Sequence, residues 1–348
     1  MDANEKYMFR CLELAKFGGG SVSPNPMVGC IIVYQNNIIG EGYHQKYGEA
    51  HAEVNAINSV SNHKLLKEST LYVSLEPCAH HGLTPPCSDL IIEKQIPKVV
   101  IGIIDSFADV AGKGIKKLKK TGINVTVGIL KKECRELNKR FFTFYEKKRP
   151  YVILKWAQTL DGFIDIDRTE NEFGEPTWIT GELALRRVHK LRAEEDAIIV
   201  GTNTAQKDNP SLTVRHCKGK NPTRIVLDRK LRLPKNLNLF DGSVNTLVFN
   251  SVKNKKEGNI SFIKIDFSKN IIPQILAELY NRKIQSLIVE GGKQLLESFI
   301  KAKLWDEALV FEGNKKFQKG IHAPKISGNI VTTETLNSDK LILFKNGF

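Results

Sequence analysis

The sequence contains no apolar run long enough to cross a bilayer, no low-complexity tract, no G-x-G-x-x-G after a strand in its second half, and no cysteine pattern of a disulfide framework. Each absence removes a class of protein. A spanning helix needs about 20 consecutive apolar residues, so no membrane partner is expected. With 41% hydrophobic and 26% charged residues, the chain has the balance of a folded protein and not of a disordered one. Its six irregularly spaced cysteines suit a reducing compartment, where paired thiols serve metals or chemistry. Four of them, Cys11, Cys30, Cys134 and Cys217, are read as inert. Residues 1–17 set Asp2, Glu5, Lys6, Arg10 and Glu13 against Met8, Cys11, Leu12 and Leu14, the pattern of an amphipathic helix and not of a signal peptide. A cytoplasmic setting is expected.

What is present suffices for two domains, since 348 residues can supply each with its own core. Runs of β character at 28–33, 71–75, 99–104 and 125–127 alternate with helical stretches, the order of a three-layer α/β domain. The aromatic and basic stretch from Phe141 to Pro150 closes that series, and the domain boundary is placed between residues 146 and 147. A second α/β series follows, with strands near 151–156, 197–200, 224–227, 246–249 and 286–290 and helices near 182–192, 272–282 and 294–301. The net charge of +14 comes mostly from scattered lysines. Such a surface suits anionic small molecules and not a nucleic acid.

The chemistry concentrates in the first half, where His51-Ala52-Glu53 is followed by Glu76-Pro77-Cys78 and Pro85-Pro86-Cys87. One imidazole and two thiolates give zinc three protein ligands and leave its fourth tetrahedral position to water, as catalysis requires. A carboxylate must then move protons to the ring nitrogen and the departing ammonia, which suits Glu53. His51 and Cys87 both stand at helix starts, and the helix dipole favours a thiolate there. Any one of these residues alone would be ordinary. A fourth protein ligand such as His80 or His81 would instead close the site into a structural one.

H-x-E, then P-C, then a further cysteine is the zinc-deaminase signature. Nucleic-acid deaminases of that superfamily carry P-C-x-x-C, whereas the eight residues Ala79-His80-His81-Gly82-Leu83-Thr84-Pro85-Pro86 separate Cys78 from Cys87 here. A tRNA or nucleoside deaminase with an appended binding domain would also interleave aromatic and basic residues, a pattern not seen. With Pro24-Asn25-Pro26-Met27-Val28-Gly29 and Gly42-Tyr43-His44 upstream, the chain resembles the bifunctional riboflavin-biosynthesis enzymes. These join a diaminohydroxyphosphoribosylaminopyrimidine deaminase to a 5-amino-6-(5-phosphoribosylamino)uracil reductase. The resemblance covers nearly the whole chain. It implies a cytidine-deaminase-like fold for residues 1–146 and a dihydrofolate-reductase-like fold for 147–348. It also implies Zn2+ on His51, Cys78 and Cys87, proton transfer by Glu53, and substrate contacts from Asn25, His44 and His80. The family generally has a basic residue where this chain has Leu83.

In the second half, Ser286-Leu287-Ile288-Val289-Glu290-Gly291-Gly292-Lys293 reads as a strand ending in a glycine pair that opens a helix. Bare backbone at a helix N-terminus can bind phosphate, although a plain tight turn fits the same residues. Lys155-Trp156-Ala157-Gln158-Thr159-Leu160-Asp161-Gly162, Trp178-Ile179-Thr180, Arg192 and Asp208-Asn209-Pro210-Ser211-Leu212-Thr213-Val214-Arg215 resemble the reductase half of the same family, which uses NADPH. The resemblance implies a cofactor site of Lys155, Gln158, Trp178, Thr204, Asp208, Gly291, Gly292 and Lys293. It implies a site for the phosphorylated substrate of Arg192, Leu212, Arg215 and Glu290. Pro176 stands where the family often has serine, with Thr177 beside it. A homo-oligomer is compatible with this reading.

Overall fold

Asp2 starts the first helix by accepting the Glu5 backbone N–H, and the Glu5 carboxylate returns a bond to the Asp2 N–H. This reciprocal cap satisfies two donors that a helix start leaves open. The computed structural model describes residues 1–347 apart from 82–84, 108–110, 170–173 and 175, so the Leu83 position lies outside the described residues. The chain divides into two units, Met1–Lys148 and Arg149–Phe348.

The first unit runs α1 (Ala3–Lys16), β1 (Gly29–Tyr34), β2 (Asn37–Tyr43), α2 (Ala52–Asn58), β3 (Thr70–Leu75), α3 (Cys87–Glu93), β4 (Lys98–Ile103), α4 (Lys113–Lys120), β5 (Asn124–Val127), α5 (Lys131–Leu137) and α6 (Lys139–Lys147). Its sheet has the order β2-β1-β3-β4-β5. The β1 pairings are antiparallel and those of β3 with β4 and β4 with β5 parallel. Side chains alternate across a strand, and here both faces are buried. Ile31, Val33, Tyr72 and Val100 join Met8, Leu12, Cys134 and Phe142 from α1, α5 and α6. Cys30, Ile32, Val73 and Ile101 join Ala56, Ile91 and Leu118 from α2, α3 and α4. That two-sided burial explains the near-continuous apolar strands. The hairpin partner β2, mixed in polarity and exposed at its start, was not expected from the sequence.

The second unit runs β6 (Tyr151–Thr159), β7 (Phe163–Asp165), α7 (Glu182–Glu194), β8 (Ala197–Val200), α8 (Thr202–Asp208), β9 (Thr223–Leu227), β10 (Thr246–Asn250), β11 (Lys255–Glu257), β12 (Ile260–Lys264), α9 (Ile271–Asn281), β13 (Ser286–Val289), α10 (Lys293–Ala302), β14 (Glu307–Gly313), β15 (Ile321–His322), β16 (Asn329–Leu336) and β17 (Asp339–Lys345). The main sheet is ordered β11-β12-β10-β9-β8-β13-β6-β14-β17-β16. It is parallel from β12 to β14 and antiparallel at both ends. Val152, Leu154, Leu287 and Val289 pack with Leu276, Leu279, Leu296 and Phe299 from α9 and α10, while Ile198, Val200, Val226 and Ile288 face a second core. Leu212 belongs to that second core and is buried.

Candidate active sites

In the first unit the C-terminal end of β3 delivers Glu76, Pro77 and Cys78 to the N-termini of α2 and α3, the usual place for ligands on a parallel sheet. His51 is the N-cap of α2 and Glu53 lies in its first turn, while Cys87 is the first residue of α3, after Pro86. One ligand atom from each of His51, Cys78 and Cys87 falls within 4.8 Å of the others. The His51 Nδ1 lies 3.6 Å from the Cys78 Sγ and 3.3 Å from the Cys87 Sγ. Zinc bonds of ~2.3 Å to sulfur and ~2.05 Å to nitrogen in a tetrahedron put such atoms about 3.6–3.8 Å apart. The donor set therefore fits zinc, with small contraction. The Cys87 N–H donates to the Cys78 sulfur at 3.3 Å. Hydrogen bonding from Cys87 and then from His51 pulls the Cys78 thiol down to about 4, and its partner Cys87 is raised in turn. A bound dication would take the proton from both.

Glu53 is buried, which pushes its carboxyl up to about 7 against the opposing His51 charge. It lines a cavity together with Asn25, His44, His51, Cys78 and His80. The His44 Nδ1 is 3.1 Å from the Ala50 carbonyl, which can only accept, so the proton sits on Nδ1. Burial keeps this ring neutral, and its Nε2 accepts from the Asn25 amide at 3.1 Å. All three residues expected to contact the deaminase substrate thus reach one cavity. Asp105, Phe107, Phe141 and Tyr145 are among the further lining residues that sequence reasoning missed. Asp105 follows β4 as Glu76 follows β3, a position at a strand's C-terminal end that could have flagged it. Burial raises its carboxyl to about 6. Glu76 itself accepts the N–H groups of Asp105, Gly112 and Ile115, so it anchors the loop before α4.

In the second unit Glu290 stands just past β13 and gathers two of the predicted basic residues. Arg192 donates to it at 2.6 Å, and the Lys155 ammonium lies 3.6 Å away. Burial alone would raise the Glu290 carboxyl, but Arg192 and Lys155 hold it down to about 2. Arg192 also donates to the Thr213 carbonyl at 3.3 Å and is nearly buried. Its guanidinium is therefore engaged inside the protein, whereas Arg215 is exposed. After Glu290 the chain turns through Gly292 at φ 69° into α10, whose start has no side-chain cap. A Cβ on Gly291 would lie 2.9 Å from Thr204 Cγ2, so Thr204 and the glycine pair share one cradle. Asp208 is paired with Arg168, Gln158 accepts the Trp156 indole N–H at 2.9 Å, and Lys293 lies 3.8 Å from Glu297. Trp178 is 56% exposed, with its carbonyl bonded by Lys315. The Thr177 hydroxyl beside Pro176 donates to Asp165.

An open His/Cys/Cys site in one unit and a glycine cradle beside a basic cluster in the other define a zinc deaminase joined to a reductase. Residues 1–103 match the cytidine and deoxycytidylate deaminase zinc-binding region, and residues 150–315 match the RibD C-terminal domain. The chain is 37% identical to riboflavin biosynthesis protein RibD of Aquifex aeolicus across 99% of each chain. It is 42% identical to RibD of Bacillus amyloliquefaciens across 87% of this chain and 82% of that one. The crystal structure of a diaminohydroxyphosphoribosylaminopyrimidine deaminase/5-amino-6-(5-phosphoribosylamino)uracil reductase from Thermotoga maritima superposes with a TM-score of 0.89 at 38% identity, covering 99% of both chains. For RibD of Acinetobacter baumannii the TM-score is 0.90 at 31% identity, again over 99% of both. The chain belongs to the RibD family of riboflavin-biosynthesis enzymes. Both expected folds, cytidine-deaminase-like and dihydrofolate-reductase-like, are those found.

Proposed function

We propose that this chain hydrolyses the exocyclic amine of 2,5-diamino-6-(5-phosphoribosylamino)pyrimidin-4-one within residues 1–146 and reduces the ribosyl group of the product with NADPH within residues 147–348, in the cytoplasm. The observation that carries the reading is the His51, Cys78 and Cys87 cluster, of which His51 and Cys78 line one cavity with buried Glu53. Zinc on that triad supplies Lewis-acid activation of the attacking water. Glu53, raised towards neutrality, would carry two protons in turn, one from the attacking water to the ring nitrogen and a second from the new C–OH group to the departing amine. Asn25 and His44, locked to each other, offer fixed polar groups to the pyrimidine, and His80 lines the same cavity.

In the reductase half NADPH supplies the hydride, and the protein orients it. The glycine pair Gly291-Gly292, packed against Thr204, leaves bare backbone at the start of α10, and this turn is assigned to a phosphate of the cofactor. Lys155, Gln158, Trp178, Asp208 and Lys293 are assigned to the cofactor. Arg192, Leu212, Arg215 and Glu290 are assigned to the substrate, and Arg192 also bonds Glu290. The test is to incubate the zinc-loaded protein with the phosphoribosyl diaminopyrimidinone while following ammonia and the 340 nm absorbance of NADPH together. Ammonia release followed by NADPH loss is expected. Ammonia alone would remove the reductase assignment, and neither signal would remove both.

A further inference from the structure

His189 lies on α7, three positions before Arg192, and is fully buried. Its Nδ1 accepts the backbone N–H of Arg215 at 3.0 Å. One turn further on, Arg192 donates to the Thr213 carbonyl at 3.3 Å. The helix therefore grips residues 213–215 by one backbone donor and one backbone acceptor. Because an N–H can only donate, His189 is a neutral imidazole whose single proton sits on Nε2. That Nε2 is buried and has no hydrogen-bond partner among the described residues. Native folds keep few such atoms, and each asks for a reason.

We propose that His189 is a positioning residue of the reductase: its Nδ1 fixes the backbone from which Arg215 projects, and so sets that arginine for the substrate's phosphate. The inference rests on the reading of Arg215 given above. An apolar side chain would satisfy the buried site better but would leave the Arg215 N–H unheld. The surroundings keep the ring in its accepting form. Burial is the first cause, and the charges of Arg192 on the same helix and of His216 and Arg215 on the facing segment add to it, with Glu290 opposing; together they hold the imidazole down to about 4. The His216 ring meets it edge-on at 4.6 Å between centroids. Arg192 meanwhile bonds Glu290, the residue before the Gly291-Gly292 turn. One face of α7 thus ties the substrate arginine's segment to the residue that precedes the cofactor cradle.

The test compares two amides of different reach in the full-length, zinc-loaded protein. In His189→Asn the side-chain oxygen can take the place of Nδ1; in His189→Gln it lies one methylene too far. The KM for 5-amino-6-(5-phosphoribosylamino)uracil at saturating NADPH is measured with kcat and with hydrogen exchange at the Arg215 amide. His189→Gln is expected to raise KM roughly tenfold with little change in kcat, the mark of lost substrate binding, and to speed exchange at Arg215. His189→Asn should stay near the parent in both. Equal behaviour of the two variants, whether both parental or both impaired, would overturn the proposal. Arg215→Met with a parental KM would overturn the reading of Arg215 and the positioning role with it. That failure is distinguishable, because exchange at Arg215 would still separate Asn from Gln.

Discussion

At the scale of single residues, the charges set against a buried carboxyl decide what it can do. Glu53 and Glu290 are both enclosed, yet one is raised to about 7 and the other held down to about 2, because only Glu290 has two cations against it. Glu53→Gln keeps the shape and removes the group proposed to carry the protons. It should lower ammonia release by about 10²–10⁴-fold while bound zinc, counted by metal analysis, stays near one per chain. Glu290 carries a stability signature. Its folded carboxyl titrates below the unfolded value of 4.5, so the unfolded chain binds the proton first as pH falls. The stabilisation is complete above 4.5 and is lost on descending towards about 2. Thermal midpoints measured across that window should fall less steeply in Glu290→Gln than in the parent, and parallel curves would contradict the ion-pair account.

At the scale of elements, the deaminase site depends on how closely α2 can approach β2. A Cβ on Gly42 would lie 2.3 Å from the Ala56 backbone nitrogen, so only glycine lets the helix that carries His51 and Glu53 seat on the sheet. Gly42→Ala should cost about 1–3 kcal/mol of stability, the range for overpacking, and should speed zinc loss to a chelating dye. Intact zinc retention in a destabilised protein would show that the helix absorbs the clash elsewhere. Similar reasoning explains which elements were legible. The strands 71–75, 99–104 and 197–200 announce themselves as apolar runs because both faces are buried, and His51 and Cys87 do open helices as their surroundings suggested. β2 carries no such run, since its first residues face solvent.

At the scale of the whole molecule, the three residues assigned to zinc fall within Met1–Lys148 and those assigned to the reductase within Arg149–Phe348. Removing zinc should therefore act on one activity. After exhaustive chelation, ammonia release should vanish and return with added Zn2+, while NADPH oxidation with the already deaminated substrate should persist. Calorimetry should show the loss in the transition of the first unit, because metal binding adds to the stability of the unit that holds it. Loss of both activities together would mean that the halves do not work independently. Among the described residues no helix is long and apolar enough to cross a membrane.

The sequence by itself determined the chemistry of the first half. H-x-E, P-C and a second cysteine name ligands whose residue types have few other joint uses, and their order survives any uncertainty about where strands begin. It also determined the glycine pair after a strand, because a φ of 69° at Gly292 is one that side chains rarely adopt. Tertiary structure alone decided which charges are available. Arg192 and Arg215 look alike in sequence, but Glu290, 98 positions from Arg192, engages the first and leaves the second to the surface. The same holds for Leu212, whose place in a core depends on strands on either side of it in the chain, and for Asp105 and Tyr145, which reach the cavity only when the sheet and α6 are assembled. Long-range partners set burial and charge, and no local pattern records them.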